Sequence, residues 1–149
     1  MRILIDADGC PVVDIAVGAA RERGLECLIL CDTSHCIERS GVQTLTFSKG
    51  ADSVDFALVN LLRPGDLVIT QDYGLAAMCL SRNARVLHQD GMEYTTDNID
   101  ALLLARHTAR KIRSGGGRWK GQSKRTFAQD IAFESALKKL LDESERENA

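Results

Sequence analysis

Two aspartates placed two residues apart near the start of the chain are the first candidates for chemistry. Asp6 and Asp8 follow the apolar run 3–5, which is typical of a short buried strand. In extended backbone, side chains two residues apart point the same way, so both carboxylates could reach one cation. Gly9 and Pro11 then predict a turn and the start of a helix. The alternative is that Asp6 ends the strand and Asp8 helps to cap this helix.

Further aspartates occupy comparable positions later in the sequence. Asp52 and Asp55 lie in the first turns of a predicted helix, where a spacing of three places both on one face. Asp72 follows the strand pattern at 66–70. Each acid alone could complement a helix dipole or act as an N-cap. Because the carboxyl ends of parallel strands meet at one rim of a sheet, the joint pattern predicts a cluster of carboxylates.

Such a cluster suits a hard divalent cation. Neighbouring carboxylates raise one another's pKa unless a cation neutralises them, and oxygen ligands suit Mg²⁺ or Mn²⁺. The clearest use is metal-assisted hydrolysis of a phosphoester. The predicted catalytic residues are Asp6, Asp8, Asp55 and Asp72, and the predicted ligands of Mg or Mn are Asp6, Asp8, Asp52, Asp55 and Asp72. The sequence contains no P-loop and no serine nucleophile elbow, and its three histidines are scattered.

A segment rich in lysine and arginine lies near the C-terminal end of the sequence. The range 106–125 holds eight of the 19 lysines and arginines and no acid, whereas the rest of the chain carries 11 bases against 21 acids. Such a segment favours contact with a polyanion, and the single tryptophan within it could stack on an unpaired base. The alternative is a solvated helix face with the tryptophan anchoring the loop. The predicted nucleic-acid-binding residues are Arg110, Arg113, Arg118, Trp119, Lys120, Lys124 and Arg125.

The elements that must position these side chains alternate between strand and helix patterns, which predicts an α/β fold with a mostly parallel sheet. Strands are predicted at 3–5, 27–31, 42–47, 66–70 and 84–88, the last being the final strand. Helices are predicted at 11–23, 50–62, 75–82 and about 97–113, and from about 126 to 144. The expected buried positions include Val54, Leu58, Leu61 and Leu62 in the second helix and Ile131 in the last. The tail 142–149 is expected to fray.

Length and composition indicate one domain spanning 1–149, with a basic glycine-rich loop at about 106–125. No apolar run is long enough to span a membrane, and the first residues lack the pattern of a signal peptide, so a cytoplasmic protein is expected. The odd number of cysteines, five, favours reduced thiols over disulfides. Cys27, Cys31, His35 and Cys36 could suggest zinc, but packing of Cys27 and Cys31 in a strand is the favoured interpretation.

Four segments resemble the bacterial YaiI/YqxD family, and the resemblance extends from Met1 to about Thr126. They are Asp-Ala-Asp-Gly-Cys-Pro at 6–11, Gly-Ala-Asp-Ser-Val-Asp at 50–55, Ile-Thr-Gln-Asp-Tyr-Gly-Leu-Ala at 69–76 and Tyr-Thr-Thr-Asp-Asn-Ile-Asp at 94–100. That poorly characterised family is grouped with PIN-like nuclease domains. The resemblance therefore implies a three-layer α/β/α sandwich with an acidic metal site.

By motif, the resemblance makes Asp6 the acid of the first strand, Asp52 or Asp55 the helix acid and Asp72 the acid of a Thr-x-Asp motif. Gly9 stands where alanine is common in the family, and Asp90 matches no firm position. The first hypothesis is a Mg²⁺- or Mn²⁺-dependent nuclease acting on RNA or single-stranded nucleic acid.

Two other functions remain open from the sequence. A strand followed by Asp-x-Asp also begins the haloacid-dehalogenase-like phosphatases, although those expect Thr or Val where this chain has Cys10. A module that binds nucleic acid or a protein without catalysis is the third hypothesis, in which the acids serve only as caps. Metal titration separates this module from both enzymes.

Overall fold

The structure, a computed structural model, describes residues 1–34, 37–48, 53–105 and 124–148. A six-stranded sheet forms its centre, with the strand order β3-β2-β1-β4-β5-β6. All neighbouring strands are parallel except β5 and β6, which are antiparallel. The strands are β1 (Ile3–Asp6), β2 (Cys27–Asp32), β3 (Gln43–Phe47), β4 (Leu67–Ile69), β5 (Arg85–Leu87) and β6 (Glu93–Tyr94).

Helices cover both faces of this sheet, which confirms the predicted three-layer α/β/α sandwich and is consistent with a PIN-like fold. On one face, Ile3 and Ile5 of β1 pack with two helices, α1 and α5, whereas Leu4 packs on the other face with α2, α3 and α4. The alternation follows from the period of two in a strand, and burial on both faces explains the continuous apolar run. The helices are α1 (Val13–Arg23), α2 (Ser53–Leu61), α3 (Tyr73–Ser81), α4 (99–105) and α5 (Phe127–Glu147).

The strand order creates a topological switch point between β1 and β4. From β1 the chain proceeds outward through β2 and β3, and it then returns to the opposite side of β1 to form β4 and β5. The connections leaving the carboxyl ends of β1 and β4 therefore run to opposite faces of the sheet, which leaves a crevice between them. Open α/β sheets bind ligands in such a crevice.

The sixth strand was not predicted from the sequence. β6 is only two residues long and pairs antiparallel with β5 after a turn at Asp90 and Gly91. Gly91 has a φ of +94°, and a Cβ there would lie 2.7 Å from the carbonyl oxygen of Ala132 in α5. An Asp-Gly pair is a recognised hairpin signal, but a strand this short gives no periodicity of its own.

Two predicted buried positions are wrong. Leu61 of α2 is 37% exposed, and Val59 is buried instead, while Ile131 of α5 is 51% exposed. An apolar residue at the margin of a helical stripe is buried only if a neighbouring element reaches it, which periodicity alone does not decide.

The last helix also extends further than predicted. α5 continues to Glu147, because Arg23 of α1 binds Asp142 at 2.8 Å and Glu145 at 3.1 Å. Ser144 of the same turn is buried. Packing and ion pairing with α1 therefore hold a charged segment that was expected to fray. α5 begins with a capping box formed by Thr126 and Gln129, a pattern that can be recognised in the sequence.

Several predictions concern residues outside the described part of the chain. These are Asp52, the possible zinc ligands His35 and Cys36, the helix predicted to continue to 113, and Arg110, Arg113, Arg118, Trp119 and Lys120. Cys27 and Cys31 both lie in the buried core, which confirms that they pack as small apolar residues. Within the described ranges, no helix has the length and apolar character required to cross a membrane.

Candidate active site

The centre of the candidate site is a contact between Asp6 and Thr70 across the switch point. Ile5 of β1 is the register partner of Ile69 of β4, so the residues that follow, Asp6 and Thr70, emerge side by side. The Thr70 hydroxyl donates to Asp6 Oδ2 at 2.8 Å and accepts the backbone N–H of Asp72 at 3.0 Å. Thr70 is only 1% exposed. A buried hydroxyl thus connects the two acidic segments.

Asp72 is the N-cap of α3. Its Oδ1 accepts the backbone N–H of Gly74 at 2.8 Å and that of Leu75 at 3.2 Å. An aspartate at this position satisfies amide groups that have no partner within the helix. The structural explanation offered for Asp72 by the sequence is therefore correct, and the same cap fixes its carboxylate at the rim of the sheet.

Asp8 links β1 to β2 and is not a helix cap. The backbone N–H of Asp32 donates to Asp8 Oδ2 at 3.0 Å and lies 3.3 Å from Oδ1. The N-cap of α1 is Val12, which makes no side-chain capping bond. The sequence-based suggestion that Asp8 caps this helix is therefore wrong.

Asp32 is an acid of the site that the sequence analysis missed. It ends β2 as Asp6 ends β1, and its Oδ1 accepts the backbone N–H of Ser34 at 2.8 Å. The Ser34 hydroxyl donates to the same oxygen. The available signal was its position directly after the predicted strand 27–31, the same position that Asp6 has after the strand 3–5.

These acids line one open cavity of about 310 Å³ at the carboxyl ends of the central strands. Asp55 reaches it from the first turn of α2. The structure thus brings together four of the predicted site residues and adds one more acid. The lining residues are Asp6, Asp8, Asp32, Ser53, Val54, Asp55, Gln71 and Asp72.

Burial and crowding disfavour the charged form of Asp6. Removal from water raises its pKa from 3.8 to about 6, despite the opposing effect of the hydrogen bond from Thr70. Repulsion from Asp55, Asp72 and Asp8 contributes in the same direction as burial. Without a counter-charge, ionised Asp6 is therefore less favourable in the folded protein than in water.

Crowding alone does not establish a metal centre. Among the described residues, no group of three or more histidine, cysteine, aspartate or glutamate side chains is arranged to hold a metal ion. Asp8 and Asp72 hold backbone N–H groups of the protein, which restricts where their oxygens point. Their predicted role as ligands therefore stays a prediction.

Arg125 and Lys124 are the predicted nucleic-acid contacts that the structure describes, and they differ sharply. Arg125 donates to Asp90 and Asp130, both at 2.7 Å, and to the carbonyl oxygen of Gln89 at 2.8 Å. Lys124 is exposed to solvent. Asp90 does not line the acidic cavity and forms instead an ion pair with Arg125. Arg125 therefore anchors the start of α5 to the β5–β6 hairpin, whereas Lys124 is available to an external anion.

Comparison with known proteins identifies the family of this chain. A family model described as an uncharacterised YaiI/YqxD family matches residues 4–143, further along the chain than the motifs indicated. The chain belongs to the YaiI/YqxD family. It is 50% identical over 143 residues to a UPF0178 protein of Exiguobacterium sibiricum, covering 96% of this chain and 98% of that one.

Other YaiI/YqxD relatives are nearly as similar. A UPF0178 protein of Clostridium acetobutylicum is 46% identical, with 95% of this chain and 97% of that protein covered. One of Ruminiclostridium cellulolyticum is 47% identical, with coverages of 92% and 90%. No solved structure matches the chain. Membership of the YaiI/YqxD family is thus established, and the activity must be argued from the site.

Proposed function

We propose that this protein is a divalent-cation-dependent nuclease that hydrolyses phosphodiester bonds of RNA or single-stranded nucleic acid. The observation that carries the proposal is the cavity lined by Asp6, Asp8, Asp32, Asp55 and Asp72 at the switch point of the sheet. Isolated acids have structural explanations, but five around one cavity repel one another. Burial first, and then repulsion from Asp55, Asp72 and Asp8, raises the pKa of Asp6, and a bound cation would offset both effects.

The donor set fits Mg²⁺ or Mn²⁺ better than softer metals. Among the described residues, the lining offers carboxylate, hydroxyl and amide oxygens and neither imidazole nor thiol. Hard cations prefer oxygen ligands, and Mg²⁺ usually keeps several waters and takes only one or two carboxylates from the protein. A site of that kind does not require three preformed ligands, so the absence of such a group among the described residues is compatible with it.

The protein's own contribution would be to hold the carboxylates in place. Thr70 fixes Asp6, the α3 cap fixes Asp72, and the N–H of Asp32 fixes Asp8. A bound Mg²⁺ or Mn²⁺ would supply an activated water and neutralise charge on the leaving oxygen. With a pKa of about 6, Asp6 is largely ionised at neutral pH even before a cation lowers that pKa further.

The charge distribution supports a polyanionic substrate. An acidic cavity by itself repels phosphate, so a nuclease needs positive charge beside it. Lys124 is exposed, and the sequence from 106 to 123 adds six further bases. Lysine and arginine bind nucleic acid through its phosphates without reading sequence. This concentration of positive charge in one segment of the sequence favours a nucleic acid over a small phosphorylated metabolite.

The test is cleavage of a fluorescently labelled single-stranded RNA with Mg²⁺, with Mn²⁺ or with EDTA. We expect cleavage only with a cation, and loss of at least a hundredfold in Asp6→Asn and Asp72→Asn. Asp100→Asn is the matched control, because Asp100 is exposed on α4 and does not line the cavity. Hydrolysis of p-nitrophenyl phosphate but not RNA would favour a phosphatase. Cation-independent RNA binding without cleavage would favour the non-catalytic module.

A further inference from the structure

Among the described residues that line the acidic cavity, Gln71 is the one whose side chain carries an amide. It lies between Thr70 and Asp72, it is exposed, and it lines the cavity. The backbone on either side of it is fixed, since the Asp72 N–H donates to Thr70 Oγ1 and Asp72 caps α3. The side chain of Gln71 is therefore attached to a fixed stretch of backbone at the rim of the cavity.

The turn that follows β1 bounds the amide on the other side. Gly9 has a φ of +68°, and a Cβ built there would lie 3.3 Å from Nε2 of Gln71. The Gln71 amide thus lies against the backbone of Gly9, next to Asp8. The amide therefore lies between the segment that follows β1 and the segment that follows β4.

None of the hydrogen bonds made within the described ranges uses the Gln71 side chain. Gln71 is exposed and its amide carries two N–H donors, whereas the other polar side chains of the described lining are five carboxylates and the Ser53 hydroxyl. Ionised carboxylates can only accept hydrogen bonds, and they repel phosphate. A neutral amide donates without adding charge that would compete with a cation for the acids.

We infer that Gln71 is a substrate-contacting residue whose Nε2 donates to a non-bridging phosphate oxygen of single-stranded nucleic acid. The inference rests on the proposed nuclease function and names the group that holds the phosphate at the cavity. A hydrogen bond to an ionised acceptor is among the stronger ones, and its loss is expected to weaken binding about tenfold.

The experiment compares Gln71→Met with Gln71→Glu, using Gln43→Met as the matched control. Methionine keeps the length of glutamine and lacks the donor, whereas glutamate also adds a negative charge. Gln43 is an exposed glutamine on β3 that does not line the cavity. The Kd for a fluorescein-labelled single-stranded RNA is measured by anisotropy in EDTA, and KM and kcat for cleavage are measured in Mn²⁺.

We expect Gln71→Met to raise Kd and KM about tenfold with kcat within a factor of about two, as for a contact made equally in ground and transition states. Gln71→Glu should raise both further, and Gln43→Met should match the wild type. If the wild type cleaves RNA and Gln71→Met has the same Kd and KM as the wild type, the inference about Gln71 is wrong and the proposed nuclease function stands. A fall in kcat with KM unchanged would also overturn the inference about Gln71. A wild type that neither binds nor cleaves RNA would overturn the proposed function as well.

Discussion

The Thr70 hydroxyl donates to Asp6 Oδ2 at 2.8 Å and so joins the carboxyl ends of β4 and β1. Thr70 Oγ1 also accepts the backbone N–H of Asp72 at 3.0 Å, which makes Thr70 the common support of two acids of the cavity. Thr70 is buried, so water does not replace these bonds when they are lost. Valine has nearly the same shape as threonine and lacks the hydroxyl, so a valine at this position removes these hydrogen bonds with little change in volume.

Thr70→Val should therefore destabilise the protein by about 1–3 kcal/mol, because it leaves the Asp72 N–H and Asp6 without their buried partner. The measurement is the free energy of unfolding in urea. Thr46→Val is the control, because Thr46 is an exposed residue of β3, and it should change little. If the two valine variants were equally stable, Thr70 would not support the site.

The pKa of Asp6 gives a pH dependence of definite sign. Its folded-state pKa of about 6 lies above the ordinary 3.8, so its protonated form is favoured in the fold. The stabilisation this provides is complete below about pH 4 and is lost as the pH rises through 6. We expect Asp6→Asn to be more stable than the metal-free wild type by about 1–3 kcal/mol at pH 7.5, with the difference shrinking towards pH 4.

Added Mg²⁺ or Mn²⁺ should act on this same residue. A cation that binds only the folded state raises the melting temperature, and millimolar concentrations should raise that of the wild type but not that of Asp6→Asn. The measurement is a thermal melt with each cation at pH 7.5, with Asp100→Asn as the variant expected to respond like the wild type. Equal shifts in Asp6→Asn and the wild type would exclude Asp6 from the cation site.

A buried ion pair holds the opposite ends of the same two strands. Arg2 Nη2 lies 2.7 Å from Asp66 Oδ2, and Asp66 also accepts the backbone N–H of Arg63 at 2.9 Å. Both side chains are at most 10% exposed. Asp66→Ala should lower the free energy of unfolding by about 3–5 kcal/mol, because it leaves the charged guanidinium of Arg2 buried without its carboxylate.

The control for Asp66 is an exposed pair of the same chemistry. Asp14→Ala breaks the contact with Arg39, in which the Asp14 side chain is 77% exposed, and it should change stability little. A small effect in both variants, measured by urea unfolding, would contradict the structural role of the Arg2–Asp66 pair.

Lys124 and Arg125 should respond differently to substitution. If exposed Lys124 contacts phosphate, Lys124→Ala should reduce the slope of log affinity against log salt by about 0.7 for single-stranded RNA. Arg125→Ala should leave the slope nearly unchanged and lower the melting temperature, because its guanidinium is held by Asp90 and Asp130. Binding titrations at several salt concentrations and a thermal melt decide this. If the slope of log affinity against log salt fell in Arg125→Ala and not in Lys124→Ala, Arg125 rather than Lys124 would be the residue that contacts phosphate.

Local sequence was sufficient for the features that depend on neighbouring residues. The β1 run, the C-terminal stop of α1 at Gly24, the capping box of α5 and the alternation of strand and helix were all predictable. Each of these is set by interactions over a few positions: side-chain periodicity, backbone conformation at glycine, or a cap. The acids after β1 and β4 were found for the same reason, because strand ends can be recognised locally.

Only the tertiary structure decided which of those acids meet and what each one holds. Asp8 accepts from Asp32 because β2 lies beside β1, and Thr70 reaches Asp6 because the chain crosses to the other side of β1 before β4. Asp32 lines the cavity, whereas Asp90 lies outside the lining and forms an ion pair with Arg125. Both positions depend on contacts between residues far apart in sequence. Such contacts depend on strand order and helix packing. Local sequence shows residue types and their periodicity. The pairings between these side chains arise only when elements distant in sequence pack against one another.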